Sequence, residues 1–220
     1  MKREFVKPKV VVSKCLTFDA CRYNGAVIND DFIEQLKSFV DFKTVCPEVE
    51  IGLGVPRKAL RLVKKDDETR LVQPANDRDV TTEMKEFTHE YLDSLEKVDG
   101  FILKNRSPSC GTRDSKVYDI NGVPSMKGSG IFGGLVKEKY PKQAVTNEGR
   151  LKNFKLREHF LTKLYTLAEF RQIKAEPAMS KLVNFQARNK LLFLAYNEAE
   201  MRKMGQIVAN HEHKELDKVV

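Results

Sequence analysis

Tryptophan is absent from this 220-residue chain, and glycine and proline are sparse, at 12 and 8 positions. That composition excludes collagen-like and low-complexity classes. Apolar runs are short; residues 191–196 form one of the longer ones, far below the roughly 20 residues of a membrane span. Residues 1–8 alternate charge with single apolar side chains and have no apolar h-region. No secretory signal is therefore expected, and the chain reads as a cytoplasmic-type protein without a membrane partner. No CxxC pair occurs. Tetrahedral structural zinc, which normally takes closely spaced ligand pairs, is not expected either.

Charge is abundant but unevenly placed. Lysine and arginine number 39 and acidic residues 31, a net +8. Residues 151–220 hold 13 basic and 8 acidic side chains, so this last third carries +5 and the first 150 residues only +3. Such a segmental excess fits a polyanion partner, and equally a solvated helical surface.

The apolar pattern alternates between strands and helices over the first 150 residues. Lys9-Val10-Val11-Val12-Ser13 is a β-branched run of the kind a buried parallel strand needs. Further strands are expected at 42–45, 99–103 and 143–146, with helices at 30–40, 81–96 and 134–140. In the 81–96 helix Thr81 is the expected cap, and Met84, Phe87, Tyr91, Leu92 and Leu95 recur at helical spacing. This order indicates an α/β fold with a parallel sheet. After Gly149 only helices are expected: 151–174, broken near Pro177, then 181–196 capped by Ser180. The last, capped by Asn197, runs to about residue 209.

Of the four cysteines, Cys15, Cys46 and Cys110 each follow an expected strand. Strand carboxyl ends line up along one edge of a parallel sheet, where ligands bind, so distant residues can converge there. Three thiolates without a fourth ligand would suit a four-iron, four-sulfur cluster with one open iron. Three unrelated core cysteines fit the spacing as well.

The residues around them are more specific. Val12-Ser13-Lys14-Cys15-Leu16 leads to Cys21-Arg22-Tyr23-Asn24-Gly25. Next come Cys46-Pro47-Glu48-Val49-Glu50-Ile51-Gly52-Leu53-Gly54-Val55-Pro56-Arg57 and Lys104-Asn105-Arg106-Ser107-Pro108-Ser109-Cys110-Gly111. In this order the motifs resemble the TudS-like desulfidases over roughly residues 8–150. From about Ser180, Phe185-Gln186-Ala187-Arg188-Asn189-Lys190 looks like the start of the YbgA-like helical domain often fused behind that module.

The resemblance implies a Rossmann-like parallel sheet in 1–150, an all-α segment in 151–220 that is the incomplete start of a YbgA-like domain, and a 4Fe-4S cofactor. It also implies removal of sulfur from thiolated uracil, with Cys15, Cys46 and Cys110 as cluster ligands. Cys21 is left as a packed side chain or a second thiol beside them. Soft sulfur-ligated iron suits a thiocarbonyl and would act as a Lewis acid on the ring carbon, while water attacks and sulfide leaves. That reaction is hydrolytic.

By position Glu48 and Ser107 match the family's acid–base groups. Glu48 alternatively serves as a helix N-terminal carboxylate, and Ser107 as a turn former. Arg22 and Arg106 are candidates for substrate or cluster charge, or are surface residues. Gly128-Ser129-Gly130-Ile131-Phe132-Gly133 matches GxGxxG but comes too late in the chain for a dinucleotide fingerprint. Gly128 and Gly130 are instead candidates for close backbone approach or an anion contact. His211-Glu212-His213 reads as a solvated tail, and His89 and His159 as exposed or packed helix residues.

The leading expectation is a desulfidase for 4-thiouridine in tRNA, with Arg150, Lys152, Lys155, Arg157, Lys163, Arg171 and Lys174 as phosphate contacts. Alternatives are a salvage desulfidase for free 2- or 4-thiouracil, a non-catalytic RNA-binding module, and a zinc hydrolase built on the same three cysteines.

Overall fold

The computed structural model describes residues 5–66 and 68–209. The chain divides into two compact units: one is Lys7–Tyr165, and the other includes the helices after Thr166.

The first unit is built on β1 (Lys9–Ser13), whose three consecutive valines are buried on both sides. It is an inner strand of a four-stranded sheet in the order β2–β1–β6–β9, where β2 is Asp41–Val45, β6 is Gly100–Leu103 and β9 is Ala144–Asn147. All three pairings are parallel, so Ser13 lies opposite Val45 and Leu103 opposite Asn147. The carboxyl ends therefore share one edge, as the strand–helix alternation requires.

The helices arrive with small differences from the sequence pattern. α1 (Asp31–Leu36) is capped by Asp30, which accepts from the amides of Phe32 and Ile33, and it ends sooner than the expected residue 40. The turn Leu36–Phe39 closes on its own hydrogen bond, releasing the chain into β2. α2 (Pro47–Glu50) is a single turn with proline at its first position. α3 (Thr81–Asp93) has Val80 at its N-cap. Thr81 is not the cap: its hydroxyl donates to Asp79 at 2.6 Å and accepts the Leu71 amide at 2.8 Å, tying the helix to a strand. α4 (Ile131–Lys139) begins earlier than expected, at the end of the glycine-rich segment.

A second sheet was not legible in the pattern. Five strands run in the order β5–β4–β3–β7–β8: β3 (Arg61–Lys65), β4 (Glu68–Gln73), β5 (Arg78–Asp79), β7 (Ser115–Tyr118) and β8 (Pro124–Gly128). Only β3 and β7 pair in parallel; the other contacts are antiparallel. One core joins the sheets, with Phe101 and Leu103 from the first, Leu62 and Leu71 from the second, and Phe132 of α4 between them.

Beyond β9, α5 (Glu148–Leu151) and a break at Lys152–Asn153 precede α6 (Phe154–Ala175), where one continuous helix was expected. Phe160 and Leu164 of α6 are buried in the first unit, and a side-chain carbon on Gly100 would sit only 2.8 Å from Leu164 Cδ1.

The helical unit holds α7 (Met179–Tyr196) and α8 (Glu198–Ala209) around Ile173, Leu182 and Phe185, with Phe170 and Phe193 packed against them. α7 starts one residue before Ser180, with Ala178 at the N-cap, so Ser180 is not its cap. Asn197 does cap α8, accepting the Glu200 amide at 3.1 Å. No described helix is long and apolar enough to cross a membrane. His89 and His159 are exposed on helices, and His211, Glu212 and His213 lie outside the described residues.

Candidate active site

Each of the three strand-end cysteines is held by a different local device. Cys15 sits in the turn after β1, where Leu16 donates to Ser13 O at 2.9 Å and Ile28 donates to Cys15 O at 2.8 Å. Cys46 occupies the N-cap of α2, its carbonyl accepting from Val49 and Glu50. Cys110 closes the Ser107–Gly111 loop. There the Ser107 hydroxyl accepts the amides of Ser109 at 3.2 Å and Cys110 at 3.0 Å. The Ser107 and Ser13 hydroxyls lie beside the Cys110 sulfur, where they oppose the effect of its burial.

All four cysteines are buried and none is bridged. Cys21 lies beside two of the others, Cys15 and Cys46, and its carbonyl accepts the Cys46 thiol at 3.7 Å. The contact with Cys15, with burial adding to it, pushes the Cys21 thiol up to about 11. Cys46 is pushed up by its contact with Cys21 and by burial. Burial raises Cys110 to about 12, against the opposing hydroxyls of Ser13 and Ser107. Thiols of this kind exchange their protons for soft metal on binding. Among the described residues, no three His, Cys, Asp or Glu side chains converge closely enough to hold one metal ion. A lone catalytic zinc therefore finds no such triad there.

Glu48, two residues past Cys46, faces the Cys110 loop. Its Oε2 accepts from Arg57 Nε at 2.8 Å and Nη2 at 2.8 Å, and its Oε1 accepts the Ser109 hydroxyl at 2.9 Å. The pair is nearly dry, the side chains being 12% and 4% exposed. Arg57 also donates to Cys21 O at 3.0 Å and Gly54 O at 2.9 Å, and its Nη2 stands 4.0 Å from the Cys46 sulfur. One guanidinium thus positions the carboxylate and puts positive charge beside a thiol.

Residues 10–148 match the family model for 2-thiouracil desulfurase. The chain belongs to that family. It is 30% identical over 139 residues to the Bacillus subtilis (strain 168) protein described as uncharacterized protein YbbK, covering 59% of this chain and 89% of the relative. A solved structure titled 4Fe-4S-dependent thiouracil desulfidase TudS superposes with a TM-score of 0.55 at 28% identity, covering 70% of this chain and 99% of that one.

The desulfurase domain's residues fit a cluster of that kind. The donors are thiols from separate strand ends, unbridged, beside a cation and two hydroxyls. Cys15, Cys46 and Cys110 would hold it from three corners.

Other candidates divide. Arg106 lines a groove that begins at Glu48, and its φ of 55° places a non-glycine residue in the sparsely populated left-handed region. Strain of this kind gathers at functional loops. Arg22 instead lies over the Tyr23 ring, 5.6 Å from its centroid, while Tyr23 itself lines the groove. Gly128 and Gly130 do not offer an anion site. Gly130 donates to Gly111 O at 2.8 Å, Ile131 to Pro108 O and Gly133 to Ser109 O, so the first amides of α4 are taken by the Cys110 loop. A Cβ on Gly130 would meet Ser109 O at 2.3 Å, and Gly128 packs its α-carbon toward Val117. Their role is close backbone approach.

Sequence reasoning missed three participants. Ser109, rather than Ser107, donates to Glu48. Arg57 closes the proline-rich motif but gave no sign of reaching back nine residues. Lys104 pairs with the buried carboxylate of Glu148, which also accepts the Asn105 amide at 2.8 Å, bracing the loop before Arg106. A lysine directly after an apolar strand was the available signal for that brace.

Proposed function

We propose that this chain is a 4Fe-4S-dependent desulfidase that hydrolyses thiolated uracil, acting on 4-thiouridine in tRNA and leaving uridine and sulfide. The observation that supports the reading is that Glu48 accepts the hydroxyl of Ser109, the residue before the buried Cys110, in a 2-thiouracil desulfurase family member. When bound, the cluster supplies a soft Lewis acid for the thiocarbonyl sulfur.

The protein's own groups do the rest. Glu48 Oε1 takes a proton from the attacking water and gives it up to the departing sulfide, and Arg57 keeps the carboxylate aimed. The Ser109 hydroxyl on the same oxygen moves aside or relays that proton. Ser107 holds the Cys110 loop and places its hydroxyl beside the Cys110 sulfur. Carbon–sulfur cleavage is matched by carbon–oxygen bond formation from water, so no oxidant or reductant is consumed. Unbridged cysteines and an RNA substrate both suit the reducing cytoplasm.

The test is anaerobic loading followed by single-turnover assays on tRNA containing 4-thiouridine and on free 2- and 4-thiouracil. The expected result is sulfide release with loss of thiocarbonyl absorbance, fastest on tRNA. Turnover of free bases alone would make this a salvage enzyme. No sulfide from any of the three would overturn the catalytic reading.

A further inference from the structure

The groove that starts at Glu48 extends across the second sheet and encloses about 1220 Å3. That exceeds the roughly 300–1,000 Å3 of pockets for drug-sized ligands, and a single pyrimidine ring needs far less. Its walls carry seven cations and two carboxylates, Glu48 and Asp114. Neither carboxylate is positioned to neutralise them. Glu48 is held by Arg57 at 2.8 Å, and Asp114 accepts from Asn147 at 3.4 Å, with its other oxygen buried and unpartnered. Among the cations, Arg113, Lys116 and Lys127 are exposed on the β7–β8 side. Lys137 is pushed down first by burial and then by the Arg113 charge beside it.

Aromatic faces stand among these charges. Tyr118 lies under the Arg61 guanidinium at 4.9 Å, and both line the groove; Tyr23, 44% exposed, lines it as well. A cationic track interleaved with aromatic rings is how proteins bind single-stranded nucleic acid, phosphates on the charges and bases on the rings.

The basic helices were the first expectation for this contact, but several of their cations are engaged. Arg157 lies over the Phe32 and Phe154 rings, Lys163 is half-buried and donates to Gln143 O at 3.0 Å, and Lys174 lies over Phe170.

We infer that this groove on the second sheet holds the single-stranded RNA nucleotides flanking the thiolated base, with their phosphates on Arg113, Lys116 and Lys127 and a neighbouring base on Tyr118. The inference rests on the RNA reading proposed above and moves the main contact from the basic helices to the second sheet, keeping Arg150 of the expected set in the groove wall. It also explains how a base reaches Glu48: an unstacked strand can deliver one nucleotide into the site while its neighbours stay on the sheet.

The experiment is fluorescence anisotropy on the full-length, cluster-loaded protein. The probes are a sulfur-free single-stranded oligoribonucleotide and, separately, UMP as a single-phosphate competitor. Arg113→Ala combined with Lys116→Ala and Lys127→Ala should weaken oligonucleotide binding about 10-fold or more. The same change should flatten the salt slope by about 2, at roughly 0.7 per lost contact on a single strand. Lys116→Arg with Lys127→Arg should keep both affinity and slope, which a folding defect would not.

Unchanged affinity and slope in the triple Ala variant would overturn the inference. So would an equal loss for UMP, which would mark a pocket for one phosphate rather than a strand. If the wild-type protein binds the oligonucleotide through these residues but releases no sulfide from thiouracil or tRNA, the groove assignment stands and the catalytic reading falls.

Discussion

Arg57 donates through all three of its guanidinium nitrogens, to Glu48, Cys21 O and Gly54 O. Truncation would leave the nearly dry Glu48 carboxylate without its counter-charge and remove a donor from the Cys21 carbonyl. Arg57→Ala should therefore cost about 3–5 kcal/mol of unfolding free energy, read by denaturant titration. Arg57→Lys cannot rebuild the fork and should recover only part of it. Glu48→Gln tests chemistry rather than packing, because the amide keeps the size of the side chain and an oxygen to accept from Ser109. A rate loss of about 100-fold or more is expected with iron content unchanged; an unaltered rate would reduce Glu48 to an anchor for Arg57. For the cluster, Cys15→Ala, Cys46→Ala and Cys110→Ala should each abolish iron retention, measured by visible absorption and iron assay. Cys21→Ala should retain most of it, since Cys21 lies beside two of the proposed ligands, Cys15 and Cys46, but follows no strand.

At the scale of elements, the glycine-rich approach to α4 is a packing device for the Cys110 loop. Gly130 and Gly133 let the helix lie against the carbonyls of Ser109, Cys110 and Gly111. Gly130→Ala places a carbon 2.3 Å from Ser109 O, and the backbone on both sides has to shift. A loss of about 1–3 kcal/mol is expected, typical of overpacking, together with weaker iron retention. Gly134→Ala is the control: its added carbon meets only Ser129 Cβ at 3.5 Å, within a helix. That change should be neutral or stabilising by about 0.5–1 kcal/mol. If both variants melt alike, the close-approach role of Gly130 is wrong.

Across the whole molecule, the match to the desulfurase family ends at residue 148, while the compact unit continues to Tyr165. The difference is the first half of α6, whose Phe160 and Leu164 are buried in that unit. Leu164→Ala should destabilise it by about 2–5 kcal/mol, the range for emptying a buried leucine site. A chain cut after residue 150 should show a lowered melting temperature and exposed apolar surface. A desulfurase unit of unchanged stability after that cut would make 151–165 a mere linker. We propose that the remaining helices form a separate YbgA-like module with its own small core around Ile173, Leu182 and Phe185.

Local sequence was enough for the parallel sheet, because the inner strands β1 and β6 are buried on both faces and read as apolar runs, with the edge strands β2 and β9 placed by the strand–helix alternation. It was enough for the long helices too, apart from their ends, but not for the single turn α2 or the break between α5 and α6, and it was enough for the motifs that carry the cysteines and Glu48. The second sheet escaped because β3 and β8 are mixed with lysine and arginine and leave much of their surface exposed; their ladders are fixed by partners far away in the chain. Tertiary structure alone decided that Arg57 turns back onto Glu48 and that Ser109 is its hydroxyl partner. It also decided that α4 donates amides from its N-terminus to a protein loop instead of an anion, and that seven cations from strands, loops and helices line one groove. Hydrophobic periodicity reports burial along one element, whereas each of these outcomes depends on which polar groups from distant elements meet once the core has closed.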